Sequence, residues 1–189
     1  MTLVEIMVVL AVGILVMGLL LGMLISTNTA AKKENRYSEL WQEAVLSAQQ
    51  IEDLLERGVE TPLDAAETAI FTQHQLAMYV ISGNGGYDIT RVVVNNATVD
   101  NRARISLGEY SPGADSEAMP HKTAGLNIPQ VSTSVSFKYA LETENFTPVW
   151  KFDLGSGERP LLVNYTVKVQ DQELLVKPVI LTSTVRIAK

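Results

Sequence analysis

The sequence predicts an α+β protein: a long amino-terminal α-helix, transmembrane and then amphipathic, packed against an antiparallel β-sheet head. Three observations lead there. Residues Ile6 to Ala31 carry no charge, and the stretch up to Ile25 is long and apolar enough to cross a bilayer as a helix. From Lys33 to Arg57 apolar residues recur in steps of three and four, the spacing of one helical face. Beyond Gly86 the pattern changes to short apolar and β-branched runs separated by turn residues.

The elements follow in order. No proline occurs before Pro62, so the apolar run continues into the amphipathic stretch, and a helix from Thr2 to Arg57 would be roughly 84 Å long. Its apolar face in the second half carries Tyr37, Leu40, Trp41, Ala44, Val45, Ala48, Ile51, Leu54 and Leu55. The opposite face carries Glu34, Arg36, Glu39, Glu43, Gln50, Asp53 and Glu56. Trp41 is expected in the buried interface. Gly58 reads as the helix stop. Thr61-Pro62-Leu63-Asp64 reads as the start of a second helix running to about Tyr79 or Ile81, broken by Ser82-Gly-Asn-Gly-Gly86. Strands are expected at Tyr87–Asn95, Ala103–Leu107, Val131–Leu141, Val149–Leu154, Leu161–Gln170 and Leu174–Ile187. The last two join in a hairpin through Asp171-Gln172. Gly108 to Pro129 reads as a surface loop. The expected organisation is a membrane or filament-core helix over 1–27, the amphipathic half of that helix over 28–58, and a globular head over 59–189.

Composition narrows the function classes. The chain has 189 residues, net charge −6 and no cysteine, so disulfides, thiol catalysis and cysteine metal sites are excluded. No basic cluster exceeds Lys32-Lys33, which leaves nucleic-acid binding without electrostatic support. His74, expected on a helix face, and His121, expected in a loop, lack paired-ligand spacing. Gly83-Asn-Gly-Gly86 lacks the strand-then-helix setting of a phosphate cradle. Asp88, Asp100 and Asp115 lack the spacing of a compact calcium loop. The triplets beginning at Asn96, Asn145 and Asn164 fit the glycosylation pattern, which arises easily by chance. Trp150, like Trp41, is read as a packing residue. No motif of a hydrolase, a zinc protease or a nucleotide-binding loop occurs, so neither an enzyme nor a cofactor or metal site is expected.

Glu5 is the exception to this inert list. A carboxylate at the centre of a membrane costs about 2.5–3.5 kcal/mol on insertion scales, and intramembrane acids are retained where they have a partner. At a helix amino terminus in the headgroup zone the same charge is simply favourable. Position alone does not separate the two.

The sequence Met1-Thr-Leu-Val-Glu5-Ile-Met-Val-Val-Leu10 resembles the mature amino terminus of type IV pilins and type II secretion pseudopilins. The resemblance covers about thirty residues. In that family a prepilin peptidase removes a basic leader and N-methylates the new first residue, and the fifth mature residue is glutamate. Counting Met1 as that first residue implies that the chain is a processed form. The resemblance also implies an inner-membrane precursor with its head outward, although Lys32 beyond the apolar run would by the positive-inside rule point the other way. An assembly platform then builds identical or related subunits into a helical filament through their amino-terminal helices. Glu5 would pair with the N-methylated amine of Met1 in a neighbour, with Thr2 beside it. Many family members carry a proline near position 22, where this chain has Gly22, preceded by Gly13 and Gly18. These glycines would either soften the helix on assembly or let apolar helices approach closely. The function implied is a structural subunit of a cell-surface filament serving adhesion, motility, uptake or secretion. The alternative is a minor pseudopilin in a periplasmic pseudopilus, and the third reading is a membrane-anchored enzyme or binding protein.

Overall fold

The computed structural model describes residues 2–59, 69–81, 89–110, 122–141, 148–155 and 158–187. The chain divides into two compact units, Met1–Ser38 and Glu39–Lys189. Helix α1 runs from Leu3 to Glu56, 54 residues. In the first unit every described residue from Thr2 to Asn35 is exposed, including the whole apolar run. It is the one helix among the described residues long and apolar enough to cross a membrane.

The second unit places the last turns of α1 against two antiparallel sheets. The first sheet contains β1 (Gly58–Val59), β2 (Ile70–Phe71), β3 (Gln75–Ile81), β4 (Ile89–Val99), β5 (Arg102–Tyr110) and β6 (Lys122–Thr123). Its order is β1-β3-β4-β5-β6, with β2 on the same edge of β3 as β1. The second contains β7 (Val131–Leu141), β8 (Val149–Lys151), β9 (Leu162–Asp171) and β10 (Val179–Arg186) in the order β10-β9-β7-β8.

Alternation builds the second sheet. Val131, Val135, Phe137 and Tyr139 of β7 and Val163, Tyr165, Val167 and Val169 of β9 are buried. They meet Leu40, Ala44, Ile51 and Leu55 of α1, together with Leu76, Met78, Val80, Val92, Val94 and Ile105 from the first sheet. Each Val, Leu, Ile, Phe or Met side chain among them contributes about 1.5–3 kcal/mol on burial. The Tyr165 hydroxyl donates to the Ala48 carbonyl of α1 at 3.1 Å.

The two sheets are joined by side chains that imitate backbone. Asn96 of β4 donates its amide to the Val135 carbonyl at 2.8 Å and accepts the Val135 N–H at 2.8 Å, filling a strand edge. The Tyr139 hydroxyl donates to the Thr72 carbonyl at 2.8 Å, and its ring meets Phe71 edge-on at 5.4 Å. The Phe137 N–H donates to the Gln73 carbonyl. Burial raises the pKa of Tyr139, and the nearby Asp153 charge adds to the rise.

Several expectations require correction. The second helix does not form over 70–81: that segment is β2, a turn and β3. Leu76 to Val80 are buried on both faces of a sheet, so the strand is an unbroken apolar run that period alone cannot tell from helix. Thr72 accepts the Gln75 N–H on its hydroxyl and turns the chain, which puts His74 exposed in that turn and not on a helix. The stretch 108–129 is not all surface loop. It finishes β5, forms β6 and buries Ala124. The final hairpin turns over residues 172–178, not at Asp171-Gln172 alone, and Asp171 is fully buried with Oδ2 accepting the Leu175 N–H at 3.2 Å. Gly58 does end the helix, but as the first residue of β1. A Cβ there would overlap the Met78 methyl, so a larger residue would have to displace the end of that side chain. Thr61–Asp64, Ser82–Gly86, Asp88, Asp115, His121 and Asn145 lie outside the described residues.

Candidate functional site

The amino terminus is assembled as a helix start. Thr2 precedes the helix and Glu5 is its third residue, the Thr-x-x-Glu spacing of a capping box. The Thr2 N–H donates to Glu5 Oε2 at 2.7 Å, and the Thr2 carbonyl accepts the Glu5 N–H at 3.1 Å. The carboxylate thus caps its own helix and sits where the helix dipole favours a negative charge. One carboxylate oxygen is engaged in this way; among the described residues Thr2 is its partner. Met1 lies outside the described residues. Gly13, Gly18 and Gly22 are helical, and a Cβ at any of them would meet nothing within 4 Å. Each therefore leaves a notch on an exposed apolar surface.

A second constellation lies in the head, and periodicity placed it on the wrong face. Glu43, expected on the solvent side of α1, is 0% exposed. Its Oε1 accepts from Arg104 Nη1 of β5 at 3.1 Å and from the Thr133 hydroxyl of β7 at 3.2 Å. Its Oε2 accepts the Leu126 N–H at 2.7 Å. Arg104, itself 1% exposed, donates through Nη2 to the Ile128 carbonyl at 2.6 Å. Burial pushes the Arg104 guanidinium below its usual pKa, and the Glu43 charge opposes that shift. Two turns further along the helix, Gln50 Oε1 accepts the Gly125 N–H at 3.1 Å. Gly125 adopts φ +81°, and a Cβ there would stand 2.6 Å from Glu43 Oε1 and 2.7 Å from Ser47 Oγ. Ser47 Oγ is buried without a hydrogen-bond partner among the described residues.

Trp41, expected in the interface, is 47% exposed. At 100° per residue, Glu43 and Trp41 lie on opposite sides of Ile51, each about 80° from it. Periodicity treats them alike. The Arg104 guanidinium and the 125–128 backbone decide which one is buried. A signal was present: Glu43 falls between Leu40 and Ser47 in the stripe, and β5 carries an arginine among apolar residues.

The remaining candidates have structural surroundings. Asp100 and Asn101, with φ 51° and 60°, form the two-residue turn between β4 and β5, and Asp100 lies 3.4 Å from Arg102. Asn96 is committed to the Val135 backbone, and Asn164 donates to the Thr184 hydroxyl at 2.9 Å. Trp150, on β8, is partly exposed. No protein-family model matches the chain, and no curated protein matches it.

Proposed function

We propose that the chain is a structural subunit of a type IV pilin-like helical filament. One observation carries this reading: α1 continues unbroken from an apolar, wholly exposed amino-terminal segment into a stripe that forms the head's core. Such a segment needs lipid or other subunits around it, because in water its apolar surface would drive association. The subunit waits in the inner membrane after a prepilin peptidase has processed it and methylated Met1. An assembly platform then transfers it into a bundle of like helices at the cell surface, with protein replacing lipid around the same side chains.

Glu5 provides the register. Its carboxylate already holds the Thr2 N–H through Oε2. The second oxygen accepts the Met1 amine of a neighbouring subunit. An acid drawn into an apolar bundle is costly when unpaired, so a subunit docks favourably only where that amine is within reach. Replacing Glu5 by Val tests the assignment. Membrane fractions should retain the Glu5→Val protein while sheared surface fractions lose filaments. Filament yield equal to that of the unaltered chain would refute the role of Glu5. Mass spectrometry of the filament subunit should show a monomethylated Met1, and a terminus carrying no methyl group would refute the processing step.

A further inference from the structure

The outward face of the second sheet has a composition unlike the rest of the chain. Register places Ser132, Ser134, Ser136, Lys138 and Ala140 of β7 on it. Beside them lie Leu162, Asn164, Thr166, Lys168 and Gln170 of β9, then Ile180, Thr182, Thr184 and Arg186 of β10. Trp150 of β8 stands opposite Ala140 at one end, 41% exposed. The chain has 21 acidic residues, yet none occupies these strand positions, while three basic residues do.

The hydroxyl and amide groups are held in rows. Thr166 and Thr182 hydroxyls lie 3.1 Å apart, and Asn164 donates to Thr184 at 2.9 Å. At the aromatic end Lys138 Nζ sits 5.1 Å from the centroid of the exposed Phe152 ring. Short side chains fixed this way lose little freedom when they bind, which lowers the cost of recognition.

We infer that this face binds an acidic polysaccharide. Rows of hydroxyl and amide groups exchange hydrogen bonds with sugar hydroxyls, the Trp150 ring offers an apolar plane for a sugar ring, and the cations take the carboxylates. The charges are sparse. From strand spacing, the Lys138 Cα lies about 14 Å from that of Lys168 and about 12 Å from that of Arg186. A uronate chain, with charges separated by whole sugar rings, matches such spacing. Duplex DNA, with one charge per about 1.7 Å of axis, does not. A lipid surface is disfavoured because Ile180 is the one large exposed aliphatic side chain on the sheet face.

The test uses the full chain in detergent micelles, unassembled, so its outcome is independent of the filament reading. Calorimetric titration with alginate oligosaccharides should show binding, and titration with neutral dextran should not. The double variant Lys138→Glu/Lys168→Glu should lower alginate affinity by at least about tenfold. Lys138→Gln/Lys168→Gln, which removes the charge and keeps a polar side chain, should weaken binding in the same direction. A charge-matched control on the helix, Lys32→Glu/Lys33→Glu, should leave binding unchanged, and near-UV circular dichroism should match across all variants. Equal binding of dextran, tighter binding of a short DNA duplex, no alginate binding, or an equal loss in the helix control would overturn the proposal.

Discussion

Removing the Arg104 guanidinium should destabilise the head more than deleting an ordinary core methylene, and removing its partner as well should restore most of the loss. In the unaltered chain the Glu43 carboxylate has three donors: Arg104 Nη1, the Thr133 hydroxyl and the Leu126 N–H. Arg104→Met leaves a fully buried carboxylate with two neutral donors. Breaking one side of a buried pair costs about 3–5 kcal/mol. The remaining donors put the variant near the lower end of that range. Glu43→Leu leaves more groups unsatisfied: the guanidinium keeps its bond to the Ile128 carbonyl, while the Leu126 N–H and Thr133 hydroxyl lose their acceptor. That variant belongs at the upper end. The double variant removes both charges and fills the space with apolar volume, which for buried pairs is often neutral to within a few kcal/mol.

The assay is thermal unfolding of the full chain in micelles, followed by near-UV circular dichroism, which reports the packed aromatic core. A domain of this size shifts by about 2–4 °C per kcal/mol. Arg104→Met should therefore melt roughly 6–12 °C lower. The two single losses should exceed the loss in the double variant, giving a coupling energy above about 1 kcal/mol. A single-variant shift below about 2 °C, or strictly additive single losses, would refute the idea that this pair fixes the helix to the sheets.

Three further outcomes are expected. Gly125→Ala should lower stability by at least about 2 kcal/mol, because it adds left-handed strain at φ +81° and drives a methyl against Glu43 Oε1; an unchanged melting temperature would contradict the geometry. Asn96→Ala should cost about 2–4 kcal/mol by orphaning the Val135 N–H and carbonyl, and the Val135 amide should lose hydrogen-exchange protection ahead of its neighbours. Trp41→Ala should leave head stability within about 1 kcal/mol, since nearly half of that side chain is exposed; a loss like that of Arg104→Met would place the tryptophan in the interface after all.

What the sequence revealed followed from periodicity. Strand β7 occupies Val131–Leu141 as expected, and β9 falls within a residue of its expected bounds at each end, because both alternate buried and open positions. The apolar half of α1 was legible from composition. The misreadings share a cause. Glu43 and Arg104 are 61 residues apart in sequence, and Glu43 and Leu126 are 83 apart, so no local pattern announces their contact. Strand β3 was misread because burial on both faces erases alternation. The loop before β7 was misread because its polar composition serves α1: the Gly125 and Leu126 N–H groups are acceptor-bound by Gln50 and Glu43.

The two acids of α1 pose the same electrostatic problem with different solutions. Glu43 is withdrawn from water and satisfied from three separate places in its own chain, β5, β7 and the loop at Leu126, so folding completes its shell. Glu5 stands at the start of a helix whose next twenty residues are exposed and apolar, and among the described residues Thr2 is its one partner. In water, or at a headgroup layer, that is sufficient, because solvent serves the second oxygen. Within a bundle of such helices solvent is excluded and the second oxygen requires a donor. In the proposed filament each chain brings one amino terminus to the bundle, so acids and amines can be matched one to one along a row of staggered subunits. On this reading the capping bond to Thr2 is retained on assembly and fixes the direction in which the free oxygen points. A variant that keeps the acid but loses the cap geometry, Thr2→Pro, should then assemble poorly even though Glu5 is intact. Full filament yield from Thr2→Pro in sheared fractions would show that the cap has no part in register.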